Sequence, residues 1–190
     1  MSSLSSSLSF FLAWFGAPAQ VGAVMPSSAA LADAITAEIT PASAPVIELG
    51  PGTGAVTRAL LRRGVPEERL ALVELTGRFA RRLEAHFPSA RVLNMDATKL
   101  AGVEVFAGQR AGAVVSGLPL VLMPLWDVMG VLKGAFHHLA PGGCFYQFTY
   151  RLGPPIPPAV LARLGLRAER IGGTLANVPP ASVYRITRRR

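Results

Sequence analysis

The sequence predicts an α/β chain built on a mostly parallel sheet with helices on both faces. Short apolar segments of strand type alternate with longer segments of helical period, the pattern left by strands joined through right-handed helical crossovers. The first of these strands, Val46–Leu49, runs directly into three glycines at alternate positions, Gly50, Gly52 and Gly54. That is how a buried parallel strand reads when its backbone must bend tightly into a helix and leave room for a ligand. Two later strands end in acids, Glu74 and Asp96. A chain of 190 residues holds one domain with a sizeable core, not two.

Taken in order, the chain starts with a segment whose first charged side chain is Asp33. Leu4, Leu8, Phe11, Leu12 and Phe15 recur at helical intervals, with Ser5, Ser6 and Ser9 off that face and Trp14 at its edge. Such a helix can be a piece of core, a secretory signal with Ala17-Pro18-Ala19 as its small-residue site, or an amphipathic helix lying on a membrane. The signal reading lacks a positive leading region. The membrane reading puts Phe10, Phe11, Trp14 and Phe15 into the lipid. Gly16, Pro18 and Gly22 break this helix; on the membrane reading residues 1–25 are an N-terminal membrane-interacting helix and linker, and residues 26–190 are the main domain.

Ser27 or Ser28 can cap a helix that runs to about Ile39 with Leu31, Ile35 and Ile39 on one face, before Pro41 and Pro45. After the glycine turn, residues 53–63 read as a helix, 70–75 as a second strand and 77–87 as a helix with Arg78, Arg81 and Arg82 outward. Residues 90–96 form a third strand and 112–118 a fourth. Residues 123–139 are helical and close at Pro141-Gly142-Gly143. A fifth strand spans 144–150. Beyond a proline-rich loop and a short helix, residues 167–171 and 182–187 are the last two strands, seven in all.

Hydrophobic residues make up 51% of the chain, and the mean hydropathy is +0.39. No apolar run reaches the roughly 18–20 residues of a spanning helix. The net charge of +8, carried by arginine far more than lysine, fits an anionic partner, either nucleic acid or an anionic lipid surface, with solubility alone as the plainer alternative. One cysteine, Cys144, excludes a disulfide framework and fits a reducing compartment. There is no cluster with metal-ligand spacing, so no metal is expected.

In an open sheet of this kind, ligands sit beyond the carboxyl ends of the strands. Glu74 lies some two dozen positions after Gly50, near the spacing of a carboxylate that grips a ribose diol. Asp96, one strand further on, is placed to accept from an adenine amine. Gly50-Pro51-Gly52-Thr53-Gly54-Ala55 also satisfies a loose dinucleotide pattern. Glu48 separates the two readings: a carboxylate two positions before the glycines suits a cationic amino-acid tail and repels a pyrophosphate. The nucleoside cofactor expected is therefore S-adenosylmethionine, held by Ser27, Ser28, Glu48, Gly50, Pro51, Gly52, Thr53, Gly54, Glu74, Leu75, Asp96, Ala97 and Ser116.

The run from Glu48 to Gly54, with Glu74 and Asp96, resembles the class I S-adenosylmethionine-dependent methyltransferases over residues 26–190, which implies their Rossmann-like fold. Gly22–Ser28, Ser116-Gly117-Leu118-Pro119, Gln147–Tyr150 and Asn177–Ala181 resemble, more narrowly, bacterial phospholipid N-methyltransferases of the PmtA type. That resemblance implies stepwise N-methylation of phosphatidylethanolamine towards phosphatidylcholine. It implies a phospholipid substrate, an anionic membrane surface as partner rather than nucleic acid, a monomer in solution, and a cytoplasmic protein held peripherally at the inner face of the membrane. The uncharged N-terminal helix departs from the basic one expected of that group. Ornithine-lipid N-methylation is a related alternative. Another is the rRNA adenine N6-dimethyltransferase group, which carries Asn where this chain has Ser116 and an aromatic where it has Leu120.

Methyl transfer to nitrogen is an in-line displacement that needs a neutral amine held near the methyl. Ser116, Gly117, Leu118, Pro119 and Tyr150 are the candidate catalytic set. Backbone carbonyls of the turn and a tyrosine orient the amine, Gly117 allows close backbone approach and Pro119 fixes the turn. Tyr146, Arg151, Asn177, Tyr184 and Arg185 are candidates for substrate contact. The tyrosines would meet amine or phosphate, with Tyr150 favoured over Tyr146, which alternation could equally bury. The guanidiniums would take phosphate oxygens in pairs. His137 and His138 read as a helix cap or surface pair.

Overall fold

A computed structural model of the chain describes residues 26–151, 153–176 and 180–189. The candidates Phe10, Phe11, Trp14, Phe15 and Asn177 lie outside the described residues, and so does the expected N-terminal helix.

Helix α1 spans Pro26–Ile35 and a turn carries the chain to strand β1, Val46–Leu49. Then come α2 (Ala55–Arg62), β2 (Leu70–Glu74), α3 (Gly77–His86), β3 (Arg91–Asn94) and β4 (Ala111–Ser116). The chain closes with α4 (Leu125–His138), β5 (Leu139–Thr149), α5 (Pro158–Arg163), β6 (Leu166–Thr174) and β7 (Ala181–Arg188). The strands form one seven-stranded sheet in the order β3-β2-β1-β4-β5-β7-β6. β1 to β5 are parallel, while β7 runs antiparallel to both β5 and β6. Strand order reverses between β1 and β4, and that is where the glycine turn emerges.

Two apolar layers sandwich the sheet. Ile47, Leu49, Val114 and Phe145 face α4 and α5, and Val46, Leu72, Val115 and Val183 face α1, α2 and α3. Ile47 and Leu49 expose no surface, so each contributes on the order of 1.5–3 kcal/mol of hydrophobic stabilisation. This is why β1 reads as an unbroken apolar run interrupted only by Glu48.

Several element ends differ from the sequence expectation for local reasons. α1 stops at Ile35 rather than Ile39, because Thr36 turns its hydroxyl back onto the Ala32 carbonyl at 2.8 Å and the next amides close tight three-residue turns. Ile39 is still buried. β3 ends at Asn94, since Asp96 caps the short 3-10 helix Ala97–Gly102 by accepting from the Thr98 amide at 2.8 Å. The α4 segment starts two residues late, after a 3-10 turn at Leu120–Leu122. Pro141-Gly142-Gly143 does not close that helix. The strand begins at Leu139, and these residues bulge out of it, with Ala111 paired to Leu139 and Ala113 to Cys144. His138 is buried and bonds the Leu100 carbonyl at 3.0 Å through Nε2, so only His137 of that pair is exposed.

Candidate active site at the strand switch point

The glycine turn leaves β1 with Gly50, Gly52 and Gly54 at φ of 69°, 54° and 79°. All three lie in the left-handed region, where other residues are strained. Space is as tight as torsion at two of them. A Cβ on Gly50 would sit 2.8 Å from Leu118 Cδ2, and one on Gly54 would sit 2.7 Å from the Phe87 ring. A Cβ on Gly52 would meet nothing within 4 Å, so this part of the turn fronts open space.

The turn after β4 is locked against it. Gly117 donates its amide to the Leu49 carbonyl at 2.8 Å, and a Cβ there would come within 2.8 Å of the Gly50 oxygen. Ser116 is fully buried, and its hydroxyl accepts from the Leu118 amide at 3.3 Å. Pro119 is half-buried beside it. The two turns that sequence reasoning assigned separately to cofactor and acceptor are therefore in backbone contact.

The acids are arranged around that contact. Glu74, buried at the end of β2, accepts from the Thr76 amide at 2.8 Å and from the Gly52 amide at 3.2 Å, which ties the second strand to the glycine turn. Glu48 is buried on the α2 side and accepts from the Thr57 hydroxyl at 2.6 Å. Burial pushes its carboxyl up to about 7. Thr57 and the Arg58 charge act against that rise, and the Glu74 charge adds to it. Pro51 and Ala97 are buried, Thr53 and Leu75 exposed, and Asp96 half-buried. Ser27 and Ser28 lie in the first turn of α1.

The expected acceptor side is more divided. Tyr150 follows the end of β5, half-buried and edge-on to Phe148 with ring centroids 5.3 Å apart, and Arg151 beside it is exposed. Tyr146 and Tyr184 are buried instead. Tyr146 packs on the α1 side with its phenol donating to Glu38 at 3.2 Å, and Tyr184 lies in the opposite apolar layer. Arg185 is engaged internally: it meets Glu38 at 3.0 Å and Glu169 at 2.8 Å, so its fork already holds two carboxylates. Neither Tyr146 nor Arg185 is displayed at the carboxyl edge of the sheet. Strand alternation hid this, because Glu38 and Glu169 come from distant segments. Sequence reasoning named Gln147 only within the Gln147–Tyr150 resemblance and gave it no role; it donates to the Leu118 carbonyl at 2.9 Å from beneath the turn.

A profile of the methyltransferase-domain family matches residues 46–143, more than half of the chain. The chain belongs to this methyltransferase family. An ornithine lipid N-methyltransferase of Singulisphaera acidiphila is 33% identical over 108 residues, covering 55% of this chain and 56% of that protein. The ribosomal RNA small subunit methyltransferase A of Maridesulfovibrio salexigens is 39% identical over 87 residues, covering 44% of this chain and 31% of that protein. The aligned part thus spans about half of one curated relative and a third of the other.

Among solved structures, a TehB-like SAM-dependent methyltransferase from Corynebacterium glutamicum superposes with a TM-score of 0.65 at 16% identity, over 98% of this chain and 100% of that one. The glycopeptide N-methyltransferase MtfA, complexed with S-adenosylmethionine, gives 0.65 at 15% identity over 90% and 98%. Both share the fold of this methyltransferase. The cofactor is S-adenosylmethionine, and the residues present fit it. Gly52 keeps an open cradle, Glu74 offers a buried carboxylate at the end of β2, and Glu48 has an ionisable carboxyl beside the turn. Among the described residues no group of acids, histidines or cysteine is placed to hold a metal ion.

Proposed function

We propose that this methyltransferase N-methylates the head-group amine of a membrane lipid, phosphatidylethanolamine and its mono- and dimethyl forms first, at the surface of an anionic membrane. One observation carries the reading. The five exposed large hydrophobic residues among those described are Leu75, Leu122, Leu125, Trp126 and Leu175, each more than half exposed and two of them, Trp126 and Leu175, at 76% and 88%. All five lie at one edge of the sheet. Leu75 follows β2, and Leu122, Leu125 and Trp126 follow β4. Leu175 sits on the β6–β7 hairpin, which the pairing of Ser182 with both Thr149 and Gly173 sets at the carboxyl end of β5. The same edge carries the glycine turn and Ser116–Pro119. Scattered exposed leucines need no explanation, but a tryptophan and four leucines that all follow strands on the edge carrying the glycine turn suit an apolar surface. Arg151 adds a cation there for lipid phosphate, and the net charge of +8 favours an anionic bilayer. The uncharged aromatic segment with Phe10, Phe11, Trp14 and Phe15 would add to this docking, which would hold the protein peripherally on the membrane's inner face.

When bound, S-adenosylmethionine supplies a sulfonium methyl whose carbon–sulfur bond breaks with the electron pair left on sulfur. The chain's own part is to hold and orient. Glu74 and the Gly50–Gly54 backbone would fix the nucleoside, with Asp96, Ala97, Leu75 and the α1 serines around it, and Glu48 would answer the cationic tail. The Ser116–Pro119 turn and Tyr150 would hold an amine that has shed its proton, so that its lone pair forms the new N–C bond. The alignment with an ornithine lipid N-methyltransferase favours a second reading, in which the amine belongs to an ornithine lipid.

Incubation with methyl-labelled cofactor and vesicles of phosphatidylethanolamine, vesicles of ornithine lipid, or ribosomal RNA tests the proposal. Label in the first is expected. Label in ornithine lipid alone moves the function to the second reading, and label in RNA alone overturns both.

A further inference from the structure

We infer that Gln147 contacts the acceptor: its side-chain carbonyl receives an N–H of the amine being methylated. Gln147 sits on β5, paired with Ser116 of β4 on one side and Tyr184 of β7 on the other, directly beneath the Ser116–Pro119 turn. It is only 1% exposed. Its Nε2 donates to the carbonyls of Leu118 at 2.9 Å and Phe148 at 3.0 Å. Two acceptors fix the orientation of the amide, since turning it over would set oxygen against oxygen. Oε1 is then buried and has no hydrogen-bond partner. A buried acceptor left unpaired costs about 1–3 kcal/mol, a cost that makes sense where a donor arrives with the substrate.

The turn itself supports the assignment. The Leu118 carbonyl accepts from the Leu120 amide at 2.9 Å as well as from Gln147, so both of its lone pairs are taken. It cannot also receive the amine. Oε1 of the same glutamine is the acceptor left over next to it. Because that oxygen is shut off from water, a donor brought to it meets no competition.

This inference rests on the amine-acceptor reading above, and it predicts something finer than a loss of activity. A neutral primary amine has two N–H groups, its monomethyl form one and its dimethyl form none. A hydrogen bond to Gln147 therefore assists the first two methylations and has no N–H to hold in the third. Gln147→Met keeps the approximate shape and removes the acceptor together with the Nε2 donor to Leu118 and Phe148. The lost support of the turn lowers kcat/KM on all three lipids, and we expect a further fall of about tenfold on phosphatidylethanolamine and on its monomethyl form relative to the dimethyl form, the worth of one buried hydrogen bond. Gln147→Glu, which keeps an acceptor, is expected to shift the acid limb of the pH–rate profile on phosphatidylethanolamine to higher pH, by holding the amine as ammonium.

Equal losses on all three lipids in the Met variant would mean a purely structural residue and would overturn the inference while leaving lipid methylation intact. So would unchanged rates on all three. Wild-type protein that labels none of the three lipids overturns the lipid reading and this inference with it.

Discussion

Glu48→Gln isolates the one strongly perturbed carboxyl at the site. Glu48 is buried, and its folded pKa of about 7 stands above the 4.5 of an exposed glutamate. The values differ by about 2.5, worth about 3.4 kcal/mol when fully expressed. The sign follows from which state holds the proton. Between the two values the folded chain keeps it and the unfolded chain has lost it, so this group's contribution is fully present below about pH 4.5. It is lost as pH rises to about 7 and is flat above. Between about pH 5 and pH 8 the loss comes to about 2.5 kcal/mol. Glutamine cannot ionise, while every other titrating group is unchanged, so urea unfolding of the two proteins across that range should show wild type falling by about 2.5 kcal/mol relative to the variant. Cofactor binding adds a second readout. A cationic tail favours the ionised carboxylate, so calorimetry at about pH 6 should detect proton release on binding to wild type and not to Glu48→Gln. Parallel stability curves would refute the buried, protonated acid. A proton release that survives the substitution would detach Glu48 from the cofactor's tail.

The remaining predictions concern the rest of the edge. Glu74→Ala removes the acceptor of the Gly52 and Thr76 amides and the carboxylate proposed to grip the ribose, and should weaken cofactor binding at least tenfold by calorimetry. Gly117→Ala puts a Cβ 2.8 Å from the Gly50 oxygen, a backbone atom that has nowhere to go; it should cost about 1–3 kcal/mol in urea unfolding and abolish turnover. Replacing exposed Leu125 and Trp126 together by serine should leave the thermal midpoint unchanged and weaken flotation with anionic vesicles about tenfold or more. Flotation equal to wild type would remove the rim from the docking surface.

The sheet, the glycine turn and the placing of its acids were legible in the sequence because their signals are local. Val46–Gly54 carries its strand, its turn and its acid within nine positions, and Glu74 and Asp96 are reached by counting strands. Periodicity placed the helices on both faces, with errors at their ends where a single side chain decides, as Thr36 does for α1 and Asp96 for β3. The acceptor half was legible only in part, because its residues depend on partners far away in sequence. Arg185 reads as a free cation until Glu38 and Glu169 are seen in its fork. Gln147 reads as one polar residue in an apolar strand until its amide is found under Leu118 with an oxygen left over. The exposed rim was hidden for the opposite reason. Leucines at 122, 125 and 175 look like core in a one-dimensional pattern, and only the strand pairing sets them at a common edge.

The topology also explains how one short chain keeps two ligands apart yet in reach. β1 to β3 lie on one side of the switch point and end in Glu48, Glu74 and the Asp96 turn. β4 and β5 lie on the other and end in Ser116–Pro119 and Tyr150. The halves are joined along β1 and β4, which pair from Val46 and Ala113 to Leu49 and Ser116, and just beyond the strand ends Gly117 bonds Leu49 with no room for a side chain against Gly50. A side chain at either glycine would force the two turns apart, and displacement at a reacting centre is costly well below the size of a methyl group. On the proposed reading the first half, with Ser116, holds the cofactor and the second half holds the acceptor. The glycine contact would then set the distance over which a methyl must pass, and substitutions of Tyr150 or Arg151 are expected to change the amine that is methylated without altering the affinity for the donor.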